Sequence, residues 1–432
     1  MPPTLALDAT VASLAPGGDG VAHVEILGER RAVFLPHTAP GDVVRAAVDA
    51  SRRPARGQVL ALLAAGPDRV APACPWSTRC GGCDWMHLSR EAQARGHADH
   101  LRATLPALWR DHPVLHHPAA EGLGYRTRAR VHVRCERGAV EVGMHEARTH
   151  DPVTVDRCAV LDPAVEKARQ SLAAIFRGSQ GRGEVQLALG AERRPVLDVR
   201  WTGEAAPACF ARLELAVAAG ELAGARVLLA DASRPATVGD PTPWMPGADD
   251  RPLRLAPGGF AQANERMNAT LALYVAERVR SLRSSERPID KAVELYAGSG
   301  NLSILLAREV RELVLVESSR EACDAARANL AARGLAARVV EADAEAASWA
   351  PSTRLLVLDP PRTGARAVAE RLAASRVSHV VYVSCDEPTL GRDLALLAPT
   401  YAPRSIATFE MFPQTSHVET VVTLQRIRGA HS

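Results

Sequence analysis

The sequence predicts a doubly wound, Rossmann-like α/β domain in its C-terminal part, preceded by a small β-barrel and a central, mostly antiparallel α+β region. Three patterns predict this fold class. From about residue 255, short apolar strands alternate with helical segments, which is typical of a parallel sheet covered by helices. Residues 4–65 hold short strands separated by turns. Between these parts, from Gly124 to about residue 250, strands dominate. We therefore expect three domains, at residues 1–65, 66–250 and 251–432.

The barrel strands are predicted where apolar and β-branched residues run between turn residues. Residues 10–15 lead into the turn Pro16-Gly-Gly-Asp-Gly20, and Pro40-Gly-Asp42 makes a second break. Further strands are predicted at residues 21–24, 31–35 and 43–48. Such a barrel can be a plain structural module, but small barrels of this kind often hold RNA.

The central region is predicted to begin with mostly helical structure at residues 93–120, interrupted by prolines. Strands are then predicted at residues 126–134, 140–143, 185–189, 196–201 and 226–230. Arg126, Arg128 and Arg130 alternate, so on a strand they share one face. This arginine stripe either faces phosphate groups or is solvated and salt-bridged.

The C-terminal part alternates between the two periodicities. Helices are predicted at residues 264–283, 302–309 and 320–333. Strands are predicted at residues 291–295, 312–316, 337–340, 355–358, 379–383 and 420–424. This βαβ alternation implies a largely parallel, doubly wound sheet.

Composition sets broad limits on the function. The net charge of +3 over 432 residues is too small to argue for nucleic acid by itself. Nearly all the basic residues are arginine, which suits phosphate contacts but also follows from a GC-rich genome. No stretch resembles a signal peptide or a membrane span. We expect a cytoplasmic monomer that does not associate with membranes.

A glycine-rich loop follows the first strand of the α/β part. In Glu294-Leu-Tyr-Ala-Gly-Ser-Gly-Asn301, the glycines allow a ligand to approach the backbone just before a helix begins. The third glycine of the dinucleotide fingerprint is absent, since Ser303 stands there. Glu317 ends the next strand, where an acid can bind a ribose. Acids at successive strand ends (Glu294, Glu317, Asp343 and Asp359) favour S-adenosylmethionine over NAD, because its methionine end is cationic and it has no pyrophosphate.

Cys385 and Glu419 are the candidate nucleophile and base. Cys385 ends a predicted strand at the ligand-facing edge of the sheet. C5 of a pyrimidine is a poor nucleophile, and a thiolate that adds to C6 turns it into an enolate-like carbon able to attack a methyl sulfonium. A base must then remove the C5 proton. Asp359-Pro-Pro-Arg362 lacks the aromatic residue of amino-group methyltransferases, which favours methylation at carbon.

These motifs together resemble the bacterial RNA uracil-C5 methyltransferases of the TrmA and RumA family. The resemblance covers nearly the whole chain, and the N-terminal barrel is similar to the TRAM domain, an OB-like barrel. One departure is that the family usually has proline two residues after the catalytic cysteine, where this chain has Glu387 before Pro388. The matching segments are Phe260-Ala-Gln-Ala-Asn264, residues 294–301, Asp359-Pro-Pro-Arg-Thr-Gly364, residues 383–393 and Met411-Phe-Pro-Gln-Thr-Ser-His-Val-Glu419.

The resemblance implies a class I methyltransferase fold and a role for each matching residue. Cys385 is the implied nucleophile and Glu419 the proton-abstracting base. Phe260 is implied to stack near the flipped base, and Asp359 to lie where cofactor and uracil meet. The residues implied to bind S-adenosylmethionine are Gln262, Tyr296, Asn301, Glu317, Asp343 and Asp359.

Eight cysteines in a chain expected to be cytoplasmic favour metal binding or catalysis over disulfides. Cys74, Cys80 and Cys83 cluster, and with a remote fourth cysteine they suit a [4Fe–4S] cluster or structural zinc. Zinc sites usually have two close Cys-x2–4-Cys pairs, whereas here three cysteines cluster and the fourth is remote. The resemblance implies a [4Fe–4S] cluster and selects Cys158 over Cys135 as its fourth ligand. Cys135, Cys209 and Cys323 are expected to be packing residues.

The barrel and cysteine cluster resemble the ribosomal-RNA members of the family, so we expect methylation of a uridine in 23S rRNA. Transfer RNA is the alternative substrate, because some members with this architecture modify it. A second alternative is a non-catalytic RNA-binding or RNA-folding protein that retains the fold. DNA cytosine methylation is disfavoured, since the Pro-Cys nucleophile motif is absent.

Overall fold

The computed structural model describes residues 4–26, 28–147, 149, 151–283 and 289–427. Within these ranges the chain forms two compact units. The first comprises Met1–Ala103, His145–Val153 and Phe412–Val418, and the second comprises Thr104–Met144, Thr154–Met411 and Glu419–Ser432. None of the helices within the described ranges is long and apolar enough to cross a membrane.

The first unit contains the predicted barrel, which is closed in the order β1-β2-β3-β5-β4. Alternate residues such as Val33, Leu35, Val44 and Val48 point inward and are fully buried, as the two-residue period of a strand requires. The elements are β1 (Thr4–Leu14), β2 (Gly20–Ile26), β3 (Glu29–Leu35), β4 (Val43–Asp49), β5 (Ala55–Ala64) and helix α1 (Arg90–Thr104).

The segment Phe412–Val418 is held within this first unit by side chains of α1 and the turn before it. Gln93 and Gln414 exchange two hydrogen bonds, of 2.9 and 3.1 Å. The Ser416 amide donates to Asp84 Oδ1 at 2.8 Å, and a ring nitrogen of His97 bonds the Thr415 carbonyl at 3.0 Å. The motif around residue 412 is therefore fixed by polar contacts.

Residues 93–120 are less helical than expected. Helix α1 ends at Thr104, and Pro113 and Pro118 flank a short strand, β6 (Val114–His117). Proline cannot continue a helix, whereas both prolines fit the ends of a strand.

The central elements form a seven-stranded sheet in the order β13-β12-β11-β10-β7-β8-β9. Among the described residues, β11 and β12 pair in parallel, whereas β10–β11, β10–β7, β7–β8 and β12–β13 pair antiparallel, so the mostly antiparallel α+β region is confirmed. Its core includes Trp201 stacked on Phe176, with ring centroids 4.9 Å apart. The elements are β7 (Ala129–Glu136), β8 (Ala139–His145), β9 (Pro152–Thr154), α2 (Pro163–Ile175), β10 (Gln180–Leu189), β11 (Pro195–Glu204), α3 (Pro207–Ala218), β12 (Gly224–Leu229), β13 (Ala236–Gly239) and the hairpin β14 (Trp244–Pro246) and β15 (Pro252–Arg254).

The C-terminal elements form an eight-stranded sheet in the order β18-β17-β16-β19-β20-β22-β21-β6, where β22 runs antiparallel to both neighbours. The elements are α4 (Glu265–Arg283), β16 (Lys291–Leu295), α5 (Ser303–Glu309), β17 (Glu312–Glu317), α6 (Arg320–Ala331), β18 (Arg338–Glu341), β19 (Leu355–Leu358), α7 (Arg366–Ala374), β20 (His379–Ser384), α8 (Glu387–Leu397), β21 (Tyr401–Phe409) and β22 (Glu419–Arg426). The Rossmann-like prediction is confirmed.

This strand order decides where a ligand binds. The chain order reverses between β16 and β19, and ligands of open α/β sheets bind beyond the carboxyl ends of the strands at such a switch point. The turns that follow β16, β17, β19 and β20 all lie at that edge, because these four strands are parallel. Those turns carry Tyr296, Glu317, Asp359 and Cys385.

Candidate active site

The turn after β16 has the backbone shape of a ligand-binding loop. Tyr296, Gly298 and Gly300 all have positive φ angles, of 63°, 54° and 86°. Glycine adopts this conformation without strain, but for Tyr296 it costs about 1 kcal/mol or more, and such strained residues cluster at functional sites. The Tyr296 hydroxyl is buried and has no hydrogen-bond partner in the described part of the chain. A bound ligand would supply the missing partner.

Glu317 holds this turn in place. Its Oε2 accepts the Gly298 amide at 2.9 Å, and its Oε1 accepts the Ser319 amide at 2.7 Å. The carboxylate at the end of β17 therefore joins the two neighbouring strand ends. It remains half-buried rather than enclosed, so a ribose can still reach it.

The other acids at the strand ends differ in environment. Glu294 is buried, accepts the Ser303 hydroxyl at 2.6 Å and has its pKa raised to about 8 by burial. It therefore serves packing within the fold rather than ligand contact. Asp343 is exposed and accepts the Glu345 amide at 2.9 Å. Burial raises the pKa of Asp359 to about 6.

Asn301 makes a reciprocal amide pair with Asn268 of α4. The two side chains exchange hydrogen bonds of 2.8 and 3.0 Å. This pair orients Asn301 at the start of the turn before α5, and Asn268 is buried.

The loop that carries Phe260 and Gln262 is held from the central sheet. Arg128 is buried and donates to the Gly259 carbonyl at 2.9 Å, and Gln186 donates to the same oxygen at 3.1 Å. Phe260 itself is 79% exposed, which is unusual for a large apolar side chain and suits a surface that stacks on a base. The predicted arginine stripe is not found on one strand face, because Arg126 and Arg128 precede β7 and Arg128 is buried. Arg130 is exposed and pairs with Glu184 at 3.1 Å.

Cys385 and Glu419 lie beside each other because β20 and β22 are antiparallel neighbours. Ser384 pairs with Thr420 in the ladder, so the residue after one and the residue before the other meet at the same edge. Gln262 Nε2 donates to Glu419 Oε1 at 3.2 Å, so the loop that carries Phe260 and Gln262 also reaches this edge of the sheet. The structure thus brings together the nucleophile and the base that the sequence predicts.

Burial dominates the electrostatics of this pair. It raises the pKa of Glu419 to about 8, with a further increase from Asp359 and a decrease from the Gln262 hydrogen bond. It also raises the pKa of the Cys385 thiol to about 12, and the negative charges of Glu419 and Asp359 add to this while Arg362 opposes it. Both groups are therefore protonated at neutral pH when no ligand is bound.

Side chains of α8 and its N-cap fix two segments of the site: the turn that carries Cys385 and the loop that follows Asp359. Asp386 caps the helix by accepting the Thr389 amide at 3.0 Å. The buried carboxylate of Asp393 accepts the Ala365 amide and the Tyr382 hydroxyl, both at 2.7 Å. The loop after Asp359 is thereby tied to the helix that follows the cysteine.

The unpartnered polar atoms of this site point to the groups that it binds. Within the described residues, Gln262 Oε1, Tyr296 Oη, Glu387 Oε1 and Glu419 Oε2 are buried without a hydrogen-bond partner. Leaving such atoms unsatisfied costs about 1–3 kcal/mol each, which a site offsets when its ligands bind. Tyr296 follows β16 at the switch point, whereas Glu387 and Glu419 lie where β20 ends and β22 begins.

The structure does not group the cysteines of the predicted cluster into a metal site within the described residues. All eight cysteines lie in the described ranges, and none is disulfide-bonded. Across those ranges, no three His, Cys, Asp or Glu side chains are grouped so that they hold a metal ion. The backbone amides of Val160 and Leu161 donate hydrogen bonds to the Cys158 sulfur, which lowers the pKa of that thiol against the larger increase caused by burial.

The fold and the site define a Rossmann-like, S-adenosylmethionine-dependent methyltransferase with a thiol and a carboxyl side by side. Comparison with known proteins narrows this class. Residues 343–427 match the family model "tRNA (Uracil-5-)-methyltransferase", and residues 279–380 match "Methyltransferase small domain".

Relatives match along almost the whole chain. The 23S rRNA (uracil(1939)-C(5))-methyltransferase RlmD of Chromohalobacter salexigens is 33% identical, over 96% of this chain and 89% of the relative. The protein of the same name from Methylococcus capsulatus is 29% identical, over 98% of each chain. The crystal structure of Pyrococcus abyssi tRNA (uracil-54, C5)-methyltransferase with S-adenosyl-L-homocysteine has a TM-score of 0.74 at 21% identity, covers 97% of this chain and all of that one, and shares the fold. The chain belongs to the RNA uracil-C5 methyltransferase family.

Three residues of the site escaped the sequence analysis. Asn268 lies on the predicted helix four residues after Asn264, and a polar residue on its apolar face was the available signal. Asp393 lies inside a matching motif but carried no assigned role. Glu387 was noticed only as a departure from the family pattern.

Proposed function

We propose that this protein methylates C5 of a uridine in 23S rRNA through a covalent bond between Cys385 and C6, with Glu419 removing the C5 proton. The observation that carries the proposal is the antiparallel pairing of β20 and β22, which sets the thiol and the carboxyl side by side. The 33% and 29% identity, over almost the whole chain, to relatives named 23S rRNA methyltransferases supports ribosomal RNA as the substrate.

The proposed reaction has three steps: addition of the thiolate, methyl transfer and elimination. Cys385 loses its proton to water, so that Glu419 stays free as a carboxylate, and its sulfur bonds to C6 while electrons move from the C5–C6 double bond toward C5 and O4. C5 then bonds to the methyl carbon, whose bond to the donor sulfur breaks. Glu419 takes the C5 proton, the Cys385–C6 bond breaks and the double bond returns. S-adenosylmethionine supplies the methyl group on a positively charged sulfonium, and a positive charge near these acids lowers their pKa values.

The donor is proposed to lie against the turns after β16, β17 and β19. Its residues would be Gln262, Tyr296, Asn301, Glu317, Asp343 and Asp359. Glu317 already orients the glycine turn through the Gly298 amide, and the free Tyr296 hydroxyl provides a donor. Phe260 and Asp359 would contact the target base, which must leave its stack to reach Cys385.

The proposed division of labour follows the three expected domains. Residues 1–65 form the barrel that would bind RNA, residues 66–250 the central domain and residues 251–432 the methyltransferase domain. The barrel and the arginine-bearing central domain would contact the RNA by shape and through its phosphates. The protein is proposed to act as a cytoplasmic monomer without membrane contact, and sedimentation would test its oligomeric state.

We also propose that Cys74, Cys80, Cys83 and Cys158 bind a [4Fe–4S] cluster. The support is the cysteine spacing, the family resemblance and the two amides directed at the Cys158 sulfur. Iron and acid-labile sulfide should be present after anaerobic purification and should fall in Cys83→Ser, while Cys135→Ser retains them. Bound zinc without iron would contradict the proposal.

The substrate is tested by methylating total RNA from a strain that lacks this gene, with labelled S-adenosylmethionine. We expect label in one or more uridines of 23S rRNA. Label in transfer RNA and none in 23S rRNA would support the alternative substrate, which the family model's name and the structural neighbour suggest.

The mechanism is tested with RNA that contains 5-fluorouridine at the mapped position. Fluorine cannot be removed as a proton, so a stable adduct with Cys385 should form. Cys385→Ser should form none, whereas the control Cys209→Ala, which changes a buried thiol of α3, should form it normally. An adduct in Cys385→Ser would contradict the assignment.

A further inference from the structure

Glu387 is a buried acid at the active site that the proposed chemistry does not use. It is the first residue of α8, two residues after Cys385, and only 8% of it is exposed. Its Oε1 is buried and has no hydrogen-bond partner within the described part of the chain. Burying an unpaired carboxyl oxygen costs about 1–3 kcal/mol.

Other acids of the site differ from Glu387, because each of them accepts hydrogen bonds that stabilise the fold. Asp386 caps α8, and Asp393 accepts hydrogen bonds from two other elements. Glu294 accepts the Ser303 hydroxyl. Within the described residues, the Glu387 carboxyl receives a hydrogen bond from its own backbone amide and from no other group. Its carboxyl therefore contributes nothing to packing that an apolar side chain could not.

Glu387 lies beside the Cys385–Glu419 pair, because it is the second residue after Cys385 and begins the helix that follows β20. It lies close enough to Glu419 for its charge to raise the pKa of that carboxyl, while its own pKa is raised to about 7 by burial and then by Asp386. The turns proposed to hold the methyl donor follow other strands. In a uracil whose C6 bonds to Cys385 and whose C5 faces Glu419, the atom bonded to C5 is C4, which carries O4 and is followed by N3–H.

We propose that Glu387 is a substrate-binding residue whose carboxyl pairs with the O4 and N3–H edge of the target uracil. A protonated carboxyl has one donor and one acceptor, and this edge has one acceptor and one donor. Thiolate addition at C6 moves negative charge toward O4, so the hydrogen bond from Glu387 strengthens as the adduct forms. The inference rests on the proposed addition through Cys385.

The test compares Glu387→Gln with Glu387→Leu. A glutamine amide also offers one donor and one acceptor to the same edge, so kcat/KM should stay within about 5-fold of wild type. Leucine offers neither, so kcat/KM should fall about 100-fold. Thermal stability should not fall in Glu387→Leu, because an unpaired buried carboxyl is removed. Equal losses in the two variants, or no loss in Glu387→Leu, would overturn the proposal.

RNA with 4-thiouridine at the target position provides a second measurement, because sulfur is a weaker acceptor than oxygen. Wild type should react about 10-fold more slowly with it than with uridine, and Glu387→Leu should react with both at similar rates. An equal slowing in both proteins, or a loss of S-adenosylmethionine affinity in Glu387→Leu as large as the loss of rate, overturns the assignment. The 5-fluorouridine adduct distinguishes failure of the proposed methylation mechanism from failure of the role of Glu387. If wild type forms no adduct, the proposed function is refuted. If Glu387→Leu forms the adduct at the wild-type rate, only the role of Glu387 is refuted.

Discussion

Replacing Glu419 by glutamine should change how the stability of the ligand-free protein depends on pH. The carboxyl is 1% exposed, and its only hydrogen bond within the described residues is the one that Gln262 donates. Burial raises its pKa from 4.5 to about 8. Between these values the folded protein keeps a proton that the unfolded chain has lost, so the free energy of unfolding falls as the pH rises.

The size of the effect follows from the two pKa values. Each pH unit in this window costs the folded state about 1.4 kcal/mol, so the contribution of Glu419 falls by about 3 kcal/mol between pH 5 and pH 7. Glutamine does not titrate, and Glu419→Gln should therefore gain about 3 kcal/mol relative to wild type over the same interval. The gain should level off above pH 8, where the wild-type carboxyl is ionised in both states.

Urea unfolding at several pH values between 5 and 9, without cofactor, measures this difference. Glu370→Gln is a matched control, because Glu370 is an exposed carboxyl of α7 that pairs with Arg366. The control should follow the wild-type curve. If the difference between Glu419→Gln and wild type is the same at pH 5 and pH 7, the carboxyl does not hold its proton in the folded protein and the reasoning fails.

Three further outcomes are expected. Gln262→Leu removes the hydrogen bond that lowers the pKa of Glu419, so kcat/KM should fall about 10-fold at pH 7 and recover as the pH rises; an unshifted pH–rate profile would count against this. Asp393→Asn should lower the free energy of unfolding by about 3 kcal/mol in urea titrations, because a buried carboxylate loses charge-assisted hydrogen bonds. Asn268→Ala should weaken S-adenosylmethionine binding about 10-fold by calorimetry, since Asn301 loses its partner; affinity within twofold of wild type would show that the pair does not matter.

The buried strands of the α/β domain were the most predictable part of the fold. Strands β16 and β19 match their predictions residue for residue. Strand β19 is a continuous apolar run, as expected of a parallel strand buried on both faces. The barrel was predictable for a related reason, since its turns carry glycine and proline at regular spacing.

Strands β21 and β6 were missed for physical reasons. Pro403 lies inside β21, and proline normally argues against a strand; the structure accommodates it with an irregularity in the ladder between Pro403 and Ser405. Strand β6 has only four residues and pairs with β21, almost 300 positions away in the chain. A local pattern cannot indicate such a partner.

The residues of the site also fall into those that the sequence predicts and those that it does not. Cys385, Glu419 and the glycine turn were predictable because the chemistry demands these residue types next to strand ends. Asn268 and Glu387 were not, because their significance comes from what they face after folding. An unpartnered carboxyl oxygen has no counterpart in a sequence pattern.

The antiparallel pairing of β22 with β20 makes the distance between Cys385 and Glu419 depend on the number of residues in β22. Side chains alternate between the faces of a strand, so deleting or inserting one residue within β22 would turn the carboxyl of residue 419 away from Cys385 or shift its whole buried face. Related enzymes should therefore differ at this site by substitutions of side chains, while the number of residues in β22 stays constant. New substrates would be reached through positions such as Glu387, at the start of a helix, rather than through longer or shorter strands.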